Sequence, residues 1–137
     1  MARISKKQTE QLCRLALEAR NSSYAPYSGF KVGAALLSSD RQIFTGCNIE
    51  NSAYSPSICA ERVAFAKAVS EGCREFLAIA IAGGAKETPD DYCPPCGVCR
   101  QVMAEFCGPD FTILLAKSTA DFKKYTFADI LPLAFTL

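Results

Sequence analysis

The 137-residue chain contains no histidine. That absence excludes every catalytic scheme built on a Ser–His or Cys–His pair, and every metal site that needs an imidazole ligand. The chain also lacks a run of about 18 to 20 apolar residues of the kind that crosses a bilayer as a helix, so no membrane partner is expected. Met1 to Ser5 are without the apolar run of a secretory leader, and the expectation is a cytoplasmic protein. An excess of charge of one sign is missing too, because 15 basic and 14 acidic side chains leave a formal +1. The adjacent Lys123 and Lys124 fall short of a basic stripe that grips phosphates, so a nucleic-acid partner is not expected. A small, largely neutral substrate fits better. No internal repeat and no low-complexity segment interrupts the chain.

What is present is the mix of a soluble globular protein, 50% apolar and 21% charged, long enough for one domain over residues 1–137. Eight cysteines stand out. In a reducing compartment they stay thiols, and such clusters read as metal ligands before they read as disulfides.

Periodicity predicts a first helix through Leu12, Leu15, Ala16 and Ala19, opened by a capping box of Ser5 and Gln8. A hairpin follows, Lys31 to Ser38 and Gln42 to Asn48, turning at Ser39 and Asp40. Cys59 to Glu71 reads as a helix stopped by Gly72, and Phe76 to Ala82 as a buried strand ended by Gly83 and Gly84. After a loop from Pro89 to Pro95, a helix is expected over Cys96 to Cys107. A strand follows over Phe111 to Lys117, then a short one over Lys124 to Phe127, and a helical turn near Asp129 to Leu131. Strand, helix, strand, helix, strand from Gln42 to Lys117 implies parallel pairing. The expected fold is α/β, a three-layer α-β-α with a mixed five-stranded sheet.

Ligands in such sheets collect beyond the carboxyl ends of strands, where helices begin. Cys59 opens one predicted helix, and Cys96 and Cys99 open the other. Helix starts stabilise thiolates through the positive end of the dipole. Three sulfurs leave a tetrahedral zinc with one open position, as in catalytic sites, and Glu61 stands two residues past Cys59. Cys13, Cys47, Cys73 and Cys107 read as small core residues. Cys93 leaves a second reading open, a closed four-sulfur structural site with Cys59, Cys96 and Cys99 that would make the chain a non-catalytic zinc module.

Cys59-Ala60-Glu61-Arg62 and Pro95-Cys96-Gly97-Val98-Cys99 resemble the signature of the zinc-dependent nucleobase deaminases. Phe30-Lys31-Val32-Gly33-Ala34-Ala35-Leu36, Gly46-Cys47-Asn48-Ile49-Glu50-Asn51 and the Leu131-Pro132 and Phe135 of the C-terminal segment extend the likeness. Together these motifs resemble the small, three-cysteine cytidine deaminases along most of the chain. The resemblance implies one zinc ion per chain on Cys59, Cys96 and Cys99, with Glu61 as the proton carrier. It implies hydrolysis of cytidine and 2′-deoxycytidine to the uridines, as in pyrimidine salvage. It assigns Asn48 and Glu50 to the ribose hydroxyls, Phe30 to the base face and the Ala60 backbone to the pyrimidine. Tyr54 would lie on the pocket lining, and Arg62 would hydrogen-bond a ligand sulfur; Arg100 is the other nearby cation. Phe135 would reach the pocket of a neighbouring subunit in a homotetramer, which accords with a C-terminal segment too apolar to trail in water. Pro56 and Pro94 depart from the family pattern beside the expected pocket mouth. A related aminopyrimidine nucleoside such as blasticidin S is the alternative substrate, against which the Asn48-x-Glu50 pair argues.

Overall fold

The computed structural model describes residues 3–137; Met1 and Ala2, at the head of the segment read as lacking a leader, lie outside the described residues. Helix α1, Lys6–Ala19, begins at the expected capping box: Gln8 N donates to Ser5 Oγ and Ser5 N donates to Gln8 Oε1. A single 3₁₀ turn, Arg20–Ser22, leads to strands β1, Lys31–Ser38, and β2, Ile43–Cys47. Then come helix α2, Ala60–Ser70, strand β3, Phe76–Gly84, and helix α3, Gly97–Phe106. Strands β4, Thr112–Ala116, and β5, Phe122–Thr126, precede the short helix α4, Phe127–Ile130. Among the described residues no helix is long and apolar enough to cross a membrane.

The five strands form one mixed sheet, as expected, and their order in it is β2-β1-β3-β4-β5. β3 and β4 run parallel, and the remaining pairs are antiparallel. One expectation is corrected here. β2 and β3 point the same way but do not pair, because β1 lies between them and bonds to both. The end of the chain is also redrawn. The last strand is Phe122–Thr126, not 124–127, and Phe127 already belongs to α4, which precedes the predicted turn at 129–131. Thr126 and Asp129 form a second capping box, and that cap pulls the helix start forward.

Apolar packing splits between the two faces of the sheet. Leu12, Cys13 and Ala16 of α1 cover Ala35, Leu37, Ala80 and Leu114 on one face. On the other, Phe65 of α2 and Met103 of α3 cover Leu36, Ile79, Ile81 and Ile113. The rings of Phe65 and Phe76 meet edge to face at 5.1 Å and tie α2 to the start of β3. β3 and β4 are covered on both sides, which is why they read as unbroken apolar runs rather than alternating ones.

Where helices meet this sheet the strand residues are small. A Cβ on Gly33 would run into the Ala16 carbonyl oxygen of α1. A Cβ on Gly46 would run into the Ala60 carbonyl oxygen and lie 2.7 Å from Ala64 N. Both obstacles are backbone, so neither can swing aside. Gly46→Ala should therefore destabilise the fold by about 1 to 3 kcal/mol, the usual range for overpacking, whereas Gly108→Ala, with nothing within 4 Å of its Cβ, should not. Urea unfolding of the two variants checks this, and equal midpoints would show that α2 can move off β2 at no cost.

Candidate active site

Two helices begin at one end of the sheet, and each begins on a cysteine. Cys59 and Cys96 are the residues just before α2 and α3, in extended conformation, and neither makes a side-chain cap bond. Serine or aspartate at such a position would bond the free N–H groups. Here the sulfurs turn toward each other instead, Cys59 Sγ to Cys96 Sγ at 3.7 Å. Cys99, in the first turn of α3 and buried, completes the group at 3.6 Å from Cys96. All three sulfurs lie within 4.8 Å of one another.

The chain brings Cys59 to this point through a pinned loop. Ile49 and Ile58 exchange both main-chain hydrogen bonds at 3.0 Å, so residues 50–57 close back on the end of β2. The following residue is Cys59.

A zinc ion fits this donor set. Tetrahedral sulfurs at about 2.3 Å from a metal stand roughly 3.8 Å apart, close to the observed spacings, and three of them leave one position open. Cys93 is not part of the cluster, which weighs against the four-sulfur reading. Its sulfur packs instead on Gly83, where an added Cβ would approach it to 2.7 Å.

The electrostatics reflect three thiols sharing one small space. A hydrogen bond from Cys99, with Arg62 close by, draws the Cys59 thiol down to about 5. The same bond and burial push Cys99 upward, so one sulfur ionises at the expense of the other. Arg62 Nη2 stands 3.8 Å from Cys59 Sγ, as the family likeness implied, and 3.5 Å from the Ser57 carbonyl. Its Nε is buried and has no hydrogen-bond partner among the described residues. Arg100 does something else: it donates to the carbonyls of Pro95 and Ile130, at 2.8 and 2.6 Å, and bonds no sulfur.

Glu61 is 4% exposed. Burial, reinforced by the Cys59 thiolate, pushes its carboxyl up to about 7. A group so poised can both accept and release a proton near neutrality.

These residues face a cavity of about 450 Å³ whose wall includes Cys59, Ala60, Glu61, Cys96, Asn48 and Glu50. Glu50 is held there by the Ser28 hydroxyl and by Tyr27 N and Ser28 N at 3.0 and 3.1 Å, which keep its carboxyl below the usual range. Asn48 accepts from Val32 N at 2.9 Å and donates to the Phe30 carbonyl at 2.8 Å, so its amide also ties the entry of β1 to the end of β2. Ser28 was not singled out from the sequence, since it lies 22 residues from its partner and only the fold joins them. Phe30, expected at the base face, is 41% exposed with its ring edge beside Gly83, and it is not among the residues that line the cavity.

Tyr54 and Phe135 also lie outside this lining. Tyr54 is 77% exposed on a left-handed turn at φ 62° and does not line the cavity, contrary to the expectation. The tight turn of Tyr54 to Ser57 points it outward. Phe135 is 68% exposed and does not line its own chain's cavity; its carbonyl accepts from Gln101 Nε2 at 2.9 Å.

Residues 6–115 match the cytidine and deoxycytidylate deaminase zinc-binding region. A cytidine deaminase of Sporosarcina psychrophila is 50% identical over 127 residues, covering 93% of this chain and 90% of that protein. One from Halalkalibacterium halodurans is 46% identical, with 93% of each covered. The crystal structure of a cytidine deaminase from Burkholderia pseudomallei superposes with a TM-score of 0.83 at 43% identity, covering 91% of this chain and 97% of that one. With its sulfur cluster, buried carboxylate and mixed sheet, the chain belongs to the cytidine and deoxycytidylate deaminase family.

Proposed function

We propose that this chain is a zinc-dependent cytidine deaminase, converting cytidine and 2′-deoxycytidine to uridine and 2′-deoxyuridine in cytoplasmic pyrimidine salvage. The observation that carries this reading is the buried Glu61, which lines one cavity with Cys59 and Cys96, two of the three convergent sulfurs. Zinc, held by Cys59, Cys96 and Cys99, would supply a Lewis acid that activates water at the open position.

Glu61 then moves the protons. It takes one from the attacking water and places it on N3 of the base as oxygen adds to C4. It passes the second to the amino nitrogen, the C4–N bond breaks, and ammonia leaves. Arg62 and the two helix starts offset the negative charge of the sulfurs. The Ala60 backbone orients the pyrimidine. Asn48 and Glu50 take the ribose hydroxyls, since each still has lone pairs to offer beyond its present bonds, and Asn48 has a second N–H.

The same reading makes the protein a homotetramer with shared pockets. An apolar groove of about 280 Å³ runs between α2 and α3 past Phe65, Val69, Val102 and Phe106. Leu133, Phe135 and Leu137 stand exposed on the C-terminal segment. Apolar surface of that kind marks an interface. In the assembly Phe135 serves a neighbour's pocket and Tyr54 lies near a subunit contact.

The first test is direct: purified protein should hold about one zinc per chain and bleach the cytosine absorbance of both nucleosides. Glu61→Gln should keep fold and metal while turnover falls on the order of a hundred to ten thousand fold. Substantial residual activity would hand the proton to another group. Metal analysis should find zinc retained in Cys93→Ser and lost in Cys59→Ser; equal loss would favour the four-sulfur module. For the shared pocket, Glu61→Gln and Phe135→Ala chains are coexpressed and the mixed oligomers isolated. Some pockets then combine an intact Glu61 with a neighbour's intact Phe135, and the mixture should exceed both parents. A monomer by sedimentation, or activity at the average of the parents, would mean that Phe135 does not act across subunits.

A further inference from the structure

The second half of the sulfur cluster hangs on an irregular segment. Residues 85–95 connect the end of β3 to Cys96, and three of them, Pro89, Pro94 and Pro95, have no N–H to donate. Among the described residues, none from 86 to 95 takes part in a main-chain to main-chain hydrogen bond. Yet this segment supplies Cys93 and Pro94 to the cavity wall and delivers Cys96 to the start of α3. Something else must hold it.

Arg20 does so at the near end. It is the residue just past α1, 4% exposed, and all its bonds go to backbone carbonyls. Nη2 donates to Gly84 at 2.9 Å and Lys86 at 2.6 Å, Nη1 to Glu87 at 2.8 Å, and Nε to Lys31 at 3.0 Å. Among the described residues it forms no salt bridge. A buried cation facing only carbonyls is costly unless their dipoles converge on it. Here four carbonyls do so. Only a planar fork with five N–H groups can reach β1, the end of β3 and the loop at once. At the far end Arg100 holds the Pro95 carbonyl, and the Tyr92 hydroxyl donates to Asp121.

We propose that Arg20 is a positioning residue of the active site, fixing through its guanidinium the loop that carries Cys93, Pro94 and the Cys96 ligand. The proposal rests on the reading of Cys96 as a zinc ligand. It acts on one half of the site only. Glu61 lies on α2 and Cys59 just before it, and among the described residues the Arg20 side chain bonds to neither, so loosening the loop affects metal retention and substrate fit more than proton transfer.

The test compares Arg20→Met with Arg20→Lys, which keeps the charge but loses the fork. Trypsin cleavage after Lys86, followed by mass spectrometry, reads the loop without reference to zinc or activity. In both variants it should accelerate selectively over the other tryptic sites. Zinc transfer to a chromogenic chelator should quicken on the order of tenfold, as for groups standing behind metal ligands. With zinc in excess, KM for cytidine should rise more than kcat falls, and the lysine variant should lie between methionine and parent. Should Arg20→Met not fold, Arg20→Lys carries the comparison alone. Uniformly faster cleavage along the chain, or failure of both variants to fold, would overturn the proposal by making Arg20 a brace of the whole sheet. Parental zinc release and KM in folded variants would overturn it as well. A parent that binds no zinc would sink the deaminase reading, while the cleavage pattern would still decide what Arg20 holds.

Discussion

Three cysteine sulfurs held within 4.8 Å of one another set the terms for everything around them. Thiols this close cannot all ionise on their own, because each new charge raises the cost of the next. The split between Cys59, drawn down, and Cys99, pushed up, expresses that conflict. A divalent cation resolves it, since the metal favours the thiolate over the thiol. The protein prepares for the charge with two helix starts that forgo ordinary caps and with Arg62 beside Cys59.

In the proposed mechanism one turn of α2 carries most of the chemistry. Cys59 precedes it, Ala60 presents its backbone, Glu61 lines the cavity, and Arg62 reaches back three residues to the first sulfur. So much function in four consecutive residues is possible only if that turn is rigidly seated. Gly46 seats it: the absence of a side chain lets β2 approach the helix backbone itself. The Ile49–Ile58 bridge closes the loop before it. Glu61 is buried by the same close packing, so one geometric fact both places the carboxyl and raises its affinity for a proton.

The other wall has a different construction. It comes from a proline-rich loop with no main-chain ladder of its own, and side chains replace that ladder. Arg20 and Arg100 reach it from other elements, and its own Tyr92 reaches out to Asp121. The site therefore has one wall on a helix, which carries the buried carboxylate, and one on a loop braced by side chains. The exposed apolar C-terminal segment adds a third element that this chain's own cavity does not use.

The metal-ligand candidates, the carboxylate and the element order were legible in the sequence because they depend on local pattern. Cysteines at helix starts, a glutamate two residues past one of them, and glycines closing helices and strands all act within a few residues. The mixed five-stranded sheet followed from the same periodicities. What local pattern could not reveal was pairing across distance. The insertion of β1 between β2 and β3, the hold of Ser28 on Glu50 and of Asn48 on β1, and the four carbonyls around Arg20 join residues up to 67 positions apart. Tyr54 shows the same limit in reverse. Its motif neighbours suggested a pocket position, but a left-handed turn directs it outward. Neighbour-to-neighbour physics is written in residue spacing; long-range contacts exist only once burial has chosen which surfaces meet.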